Sequence, residues 1–530
     1  MIFTAAELAK REEEVLAMID ETRAYEHIDD VIARATKRDG RPRVLSTRAL
    51  LFAVQMASTN GDYFINQLPD LLNNLSAATQ RELSIYGHTI TWRQVQYLFT
   101  RIDRVLRPSI TNEELDDEQR YGDFDRIFSA IATAGAHADS MNSLSVAIDG
   151  SDIATWAKTH YTYKKFDDTY EVVKKVTDSD AGSRPRINEE DKAPFFGYEV
   201  TVATAVKDLG GPTVPKAAKA ARFRPTTKSD IRTVALSALR EVKKRQGALG
   251  DVLVDRGYTS SNDGKSFLIP VRQMGGEPVF DLLNRQVGTS GTVHGAIIID
   301  GRPYSPSIPK ALRNLKPPRS KGTNVYHPNP DEVRVYEEKI ALREIYAMVP
   351  HGRVSDDLRL VMQCPGAAGK LSCPLQPPKV APRPGILPIN TQPKTALPHS
   401  VCASRYKTFD LVSDIPLYQR EVYGSTAWRK SYARRGTSVE SNFSGLKDDA
   451  MASLHRGKIR MRGLIKTGLL VAAALASANR RYARSWDRQF LPAPPTHTKK
   501  VDLRDPYYHR LTRITRRVAG VDVVVHPLTT

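Results

Sequence analysis

The sequence predicts a mixed α/β protein: a helical N-terminal segment, then a core of alternating strands and helices interrupted by a β-rich insertion. Three observations predict it. Residues 1 to about 140 read as mostly helical; from about 143 β-rich runs alternate with helical stretches; between 262 and about 405 short strand-like runs sit among proline-rich loops.

Taken in order, the clearest N-terminal element starts at Thr91-Trp92-Arg93-Gln94, which has capping-box form and leads into Val95, Leu98, Ile102 and Val105 at helical spacing. Arg93, Arg101 and Arg104 fall off that apolar stripe, on a face that either meets DNA or is merely solvated. Leu144 to Ile148 is a short apolar run ending at Asp149-Gly150, and Phe195 to Val206 is β-rich. Thr226 to Gln246 reads as a helix with Ile231, Val234, Ala235, Ala238, Leu239 and Val242 on one face, and Asp251 to Asp255 as a buried strand. Strand, helix, strand in that order implies a right-handed crossover and a sheet with parallel pairs. In the insertion SFLIPV, GAIIIDG and RLVMQC read as strands, and eight prolines fall within Pro374–Pro398, an extended linker or surface loop. After about 415 the chain turns helical, and Gly468–Ala478 reads as a buried helix packed on the sheet.

With 78 Lys+Arg against 59 Asp+Glu the 530-residue chain carries +19; 41% hydrophobic and 26% charged residues exclude wholesale disorder. Such a charge points to a polyanionic partner, nucleic acid first and an acidic membrane surface second. Between Arg420 and Arg488 fifteen Lys/Arg face five Asp/Glu, a local balance of +10. Three cysteines exclude a disulfide scaffold and fit a reducing, cytoplasmic compartment. No basic signal sequence or membrane-length apolar run is present, so a soluble protein is expected.

Two acids end apolar runs: Asp149 in SVAIDGSD and Asp255 in VLVDRGY. A carboxylate at the C-terminal end of a strand sits at the rim of an α/β sheet, where ligands bind, and two on neighbouring strands suit Mg²⁺. Asp-Gly after an apolar run is equally a hairpin cue, and Ile299-Asp300-Gly301 nearly duplicates Ile148-Asp149-Gly150. The third candidate, Glu440, lies in RRGTSVESNFSGLKDD, seven residues before Lys447 and hence close to the same helix face. Its competing reading is structural, because Thr437-x-x-Glu440 is itself a capping box.

Around these residues, from about 143 to 484, the sequence resembles the DDE transposases of bacterial insertion sequences, in the branch with a β-rich insertion and a Tyr-Arg-Glu-Lys motif. The landmarks are VAIDGSDI, FFGYEVTVA, VLVDRGY and YARRGTSVESNFSGLK, in that order. The resemblance implies an RNase H-like core in two parts, 141–261 and 406–488, an insertion at 262–405, a helical DNA-binding domain at 1–140 and a tail at 489–530 to which no role is assigned. It implies that Asp149, Asp255 and Glu440 are catalytic and bind Mg²⁺ or Mn²⁺, and that Tyr432, Arg435 and Lys447 contact DNA phosphates. Four residues separate Arg435 from Glu440, one more than the motif's usual spacing. The implied activity is cleavage at the terminal inverted repeats of a transposon and strand transfer into target double-stranded DNA, by a homodimer on nucleoid DNA. The alternatives are an RNase H-like nuclease that does not join strands, and a catalytically silent DNA-binding descendant.

Two further features stay open. Cys364, Cys373, His399 and Cys402 could bind Zn²⁺ or be ordinary buried and loop groups. Tyr423 and Trp428 could stack on flipped bases or be core aromatics.

Overall fold

The computed structural model describes the chain except residues 1–4, 36–42, 60, 62, 109–114, 158, 167–168, 186–193, 227–228, 319–328, 378–388, 391–397, 437–440, 448–453, 455–457, 491–513, 519–520 and 526–530. The N-terminal part is helical: α1 (Ala5–Thr22), α2 (Ala24–Ala35), α3 (Thr47–Thr59), α4 (Leu68–Asn73), α5 (Ala77–Glu82), α6 (Trp92–Leu106), α7 (Asp117–Ala132) and α8 (Ala138–Asn142). Helix α6 starts where the capping box places it, with the Thr91 N–H donating to Gln94 Oε1 at 2.8 Å. Val95, Leu98 and Ile102 are buried, whereas Arg93 and Arg104 are exposed and Arg101 is half-buried.

The central sheet follows. Strand β1 (Val146–Ala154) is succeeded by a hairpin of β2 (Thr159–Phe166) and β3 (Thr169–Val176), a short β4 (Gly182–Arg184), the long β5 (Phe195–Ala205) and β6 (Ala218–Pro225). Helix α9 (Ile231–Gln246) leads to β7 (Asp251–Val254), and α10 (Leu268–Gln273) to β8 (Glu277–Phe280). β6 and β4 both pair with β5, which pairs with β1, then β7, then β8; the pairs on the β5 side are antiparallel, and β1–β7 and β7–β8 are parallel. The parallel pairs expected from the strand–helix–strand order are thus present.

Three expectations need correction. SFLIPV is helical, not a strand: Pro270 falls in the first turn of α10, where its missing N–H would have no intrahelical partner. Helix α10 then returns the chain to the main sheet, so residues 262–280 belong with the core and the insertion starts after Phe280. Asp149 does not end its strand, because β1 stays paired with β5 as far as Ala154 opposite Gly197.

The insertion holds two three-stranded antiparallel sheets. β9 (Thr289–Val293), β10 (Ala296–Ile299) and β11 (Arg302–Tyr304) form one; helix α11 (Pro330–Ile345) follows, then β12 (Val349–Pro350) and β13 (Arg359–Gln363). β14 (Leu371–Ser372) pairs with β15 (Ile389–Asn390), α12 (Ser400–Ala403) follows, and β16 (Tyr406–Asp410) completes the second sheet beside β13. Asp300-Gly301 is the turn between β10 and β11, with φ of 50° and 76°, the left-handed pair that a two-residue hairpin needs. The insertion leaves and re-enters at one point: Gln419 Oε1 accepts the Phe280 N–H at 3.0 Å and the Trp428 indole N–H at 3.1 Å.

Beyond it lie α13 (Thr426–Ala433), α14 (Ser441–Lys447) and α15 (Leu464–Arg488). The expected buried helix is α15, and it is buried on both sides, against β6 and against α3 and α7. The N-terminal helices therefore share one apolar core with a face of the sheet. α9 covers the opposite face, with Ala235, Leu239 and Val242 against Val146, Ile148, Val252 and Val254. No described helix is long and apolar enough to cross a membrane.

The two Asp-Gly sites predict unequal responses. Asp300 pairs at 2.6 Å with Arg343, whose side chain is fully buried. Asp300→Asn strands that guanidinium and should cost roughly 3–5 kcal/mol in a urea titration; Asp149→Asn removes the 2.6 Å partner of Arg435 at a rim where the acid is partly exposed, and should cost less in the same titration.

Candidate active site at the sheet rim

In the parallel ladder Val146 lies opposite Val252 and Ala147 opposite Leu253. Two places further along, that register leads to Asp149 on β1 and to Asp255, the first residue after β7. β7 ends at Val254 while β1 continues alongside β5 alone, so on the β7 side the ladder opens at the level of the two acids.

Side-chain alternation fixes the face. Ala147 and Leu253 belong to the core containing α15, whereas Ile148 and Val254 belong to the core under α9. Asp149, still within β1, shares the parity of Ala147 and so projects toward the α15 side. Phe443 and Leu446 of α14 are buried in that same core. Glu440 lies outside the described residues, as does Thr437 of the competing capping box; α14 begins with the next residue, Ser441. Lys447 is exposed at the end of α14.

Short hydrogen bonds orient both acids. Asp255 Oδ1 accepts the Gly257 N–H at 2.8 Å, and a Cβ at position 257 would approach that oxygen to 2.9 Å, so DRGY needs its glycine for a tight turn. Asp149 Oδ1 accepts the Gly150 N–H at 2.9 Å, and its Oδ2 meets Arg435 at 2.6 Å. Despite the lengthened spacing, Arg435 is the arginine that reaches the rim. Arg434 turns inward, to Asp251 and to the Lys207 carbonyl at 3.0 Å.

Tyr432 is half-buried and stacks on Trp428, with ring centroids 5.0 Å apart and planes 11° apart. Burial pushes its phenol up to about 12, partly offset by Arg435. Tyr423 meets the other edge of Trp428 and donates to Asp281 at 2.6 Å. All three rings line a cavity of about 640 Å³ shared with Arg256, so they serve as core and as cavity wall together.

Sequence reasoning missed Glu199 and Tyr258. Glu199, the Glu of FGYEV, lies across from Asp152 on β5, and Arg184 bridges the two at 2.8 Å to Asp152 and 3.6 Å to Glu199. A Cβ on Gly150 would meet Glu199 Oε1 at 2.4 Å, so that glycine makes room for the carboxylate. Burial raises the pKa of Glu199, Arg184 lowers it, and the charges of Asp152 and Asp149 raise it again. The legible signal was a lone charge inside an apolar strand. Tyr258 of DRGY is buried, which holds its phenol well above the ordinary 10.0, and Asp149, Glu199 and Asp255 push it higher.

Among the described residues no three His, Cys, Asp or Glu side chains are already gathered as a metal sphere. Asp149 and Asp255 nevertheless supply two hard oxygen donors at the open rim, a set that fits Mg²⁺ or Mn²⁺, whose sphere is completed by water and phosphate oxygens. Compared with known protein families and with curated proteins, the chain gives no match.

The raised pKa of Glu199 carries a sign. Folding favours its protonated form, so its contribution to stability falls as pH rises from the ordinary 4.5 through the raised value. Glu199→Gln should therefore unfold at a higher urea concentration than the parent at pH 8, with the advantage vanishing below pH 4.5.

Proposed function

We propose that the protein is a DDE-type DNA transposase that cuts transposon ends and joins them to target DNA, with Asp149, Asp255 and Glu440 as its three catalytic acids. The observation that carries this reading is the nearness of Asp149 on β1 to Asp255, directly after the parallel neighbour β7, beside the core into which α14, directly after Glu440, packs. The strand order supports it: β6, β5 and β1 antiparallel, then β7 and β8 parallel to β1, is the order expected of an RNase H-like core. So does the insertion, which interrupts that core between its last strand and the segment carrying the third acid.

A divalent cation at such acids supplies charge stabilisation to the scissile phosphate and to the entering and leaving oxygens. The chain's own residues do the rest. Asp149 and Asp255 provide negative charge at the open end of a parallel strand pair, each acid oriented by a backbone N–H. Arg435, already oriented by Asp149, is set to meet a phosphate oxygen, and exposed Lys447 to hold the backbone nearby. In the first step water attacks the phosphorus at an element end, the bond to the 3′ oxygen breaks, and a free 3′-OH results. In the second that hydroxyl attacks a target phosphodiester in line, expelling the target's 3′ oxygen without a covalent protein intermediate. Two ends joined together would place two copies of the chain on DNA.

Asp149→Ala, Asp255→Ala and Glu440→Ala should each lower Mg²⁺-dependent nicking of the element's own ends by at least about a hundredfold, since even residues that merely orient metal ligands cost 10–100-fold. Unchanged cleavage in any one variant removes that residue from the site. Cleavage without strand-transfer products would favour the nuclease, and specific binding without cleavage the silent descendant.

A further inference from the structure

The chain's cysteines, Cys364, Cys373 and Cys402, all lie in the insertion, on three different segments. Cys364 follows β13, Cys373 follows β14, and Cys402 sits in α12. The eight residues between the first two fold into a compact turn: the Ala368 N–H donates to the Cys364 carbonyl and the Lys370 N–H to that of Pro365, both at 2.9 Å. This returns the chain so closely that a Cβ on Gly366 would lie 2.8 Å from Cys373 Cβ and 3.7 Å from its Sγ.

Cys402 is tied to the same turn twice. The buried Gln376 side chain donates to the Cys402 carbonyl at 2.9 Å, while its own carbonyl would lie 3.1 Å from that Gly366 Cβ. The Cys364 N–H donates at 2.9 Å to the carbonyl of Arg405, three residues past Cys402.

We infer that Cys364, Cys373 and Cys402 form a structural site for a soft divalent cation, Zn²⁺, which fastens β13, β14 and α12 of the insertion together. Three thiolates select zinc over the hard cations suited to the carboxylate rim. His399, one turn before Cys402, is the candidate for the fourth position, with water as the other donor. Among the described residues the three thiols are not gathered as a ready metal sphere, so binding would draw them together and release the three thiol protons to solvent. The inference does not rest on the transposase reading, since a structural clamp in the insertion is compatible with any activity at the sheet rim.

The test uses the full chain, purified with a non-thiol reductant and no chelator, then dialysed against metal-free buffer. Elemental analysis should find about one zinc per chain. The three thiols should resist a thiol reagent until a chelator is added, and Co²⁺ added to the stripped protein should give a thiolate-to-metal charge-transfer band. Cys364→Ser, Cys373→Ser and Cys402→Ser should each lose the zinc. Because these variants can fail to fold, the unaltered protein decides. Absence of zinc with no charge-transfer band on adding Co²⁺ overturns the proposal, as does full thiol reactivity with zinc present or a disulfide between two of the three.

Discussion

Helix α15 is the constraint on which the rest of the architecture depends. Leu469 to Ala476 are all buried, so the helix has no solvated face along that length and must be covered on both sides. The sheet covers one side and α3 and α7 the other, which makes the N-terminal helices part of the same core and not a tethered module. Two of its polar positions, Ser477 and Asn479, are satisfied from the flanking layers. Ser477 accepts from Gln55 at 2.9 Å, and Asn479 takes the Ala218 N–H at 2.8 Å while donating to the Ala132 carbonyl at 3.0 Å. At its start, the Gly463 and Leu464 N–H groups donate to Asp178 and Asp180, two carboxylates at the positive end of the helix dipole. α14, the preceding helix, packs against α15 and shares the core on the sheet face toward which Asp149 projects.

How much of this the sequence disclosed depended on whether the signal was local. The capping box of α6, the β-rich run of β5 and the apolar run of α15 were legible because each element's pattern is complete within its own residues. The two Asp-Gly sites were not distinguishable, because what separates them is long-range. Asp149-Gly150 stays in a strand because β5 continues opposite; Asp300-Gly301 turns because its neighbours pair with each other. SFLIPV misled for the same kind of reason: β-branched and aromatic residues around a proline read as strand, yet the backbone places that proline where a helix tolerates it.

The site was half legible. The acids of VAIDG and VLVDRG could be picked out as carboxylates at the ends of apolar runs, and the structure places one on β1 and the other directly after its parallel neighbour β7. Glu199 and Tyr258 could not be assigned from sequence, since their proximity to Asp149 follows from β5 pairing and from the turn after β7. The two adjacent arginines were separable only in three dimensions, one committed to Asp251 inside the protein and the other to Asp149 at the rim.

The basic surplus after Arg420 changes meaning once its members are located. Arg420 and Arg434 both pair with Asp251, Arg429 with Glu337, Arg435 with Asp149, and Arg480 and Arg484 with Glu14. Several of the charges that gave this stretch its +10 are therefore neutralised by acids elsewhere in the fold, and their work is to join α13 and α15 to the sheet, the insertion and α1. Exposed basic side chains of the stretch include Lys430, Lys447, Arg460 and Arg462. Arg460 is set above the rings of Phe64 and Trp156, at 5.0 and 5.1 Å, which orients its guanidinium. Since each phosphate neutralised contributes about 0.9 to the salt slope on duplex DNA, the proposed DNA binding should have a slope that follows such exposed side chains and not the formal charge of the segment.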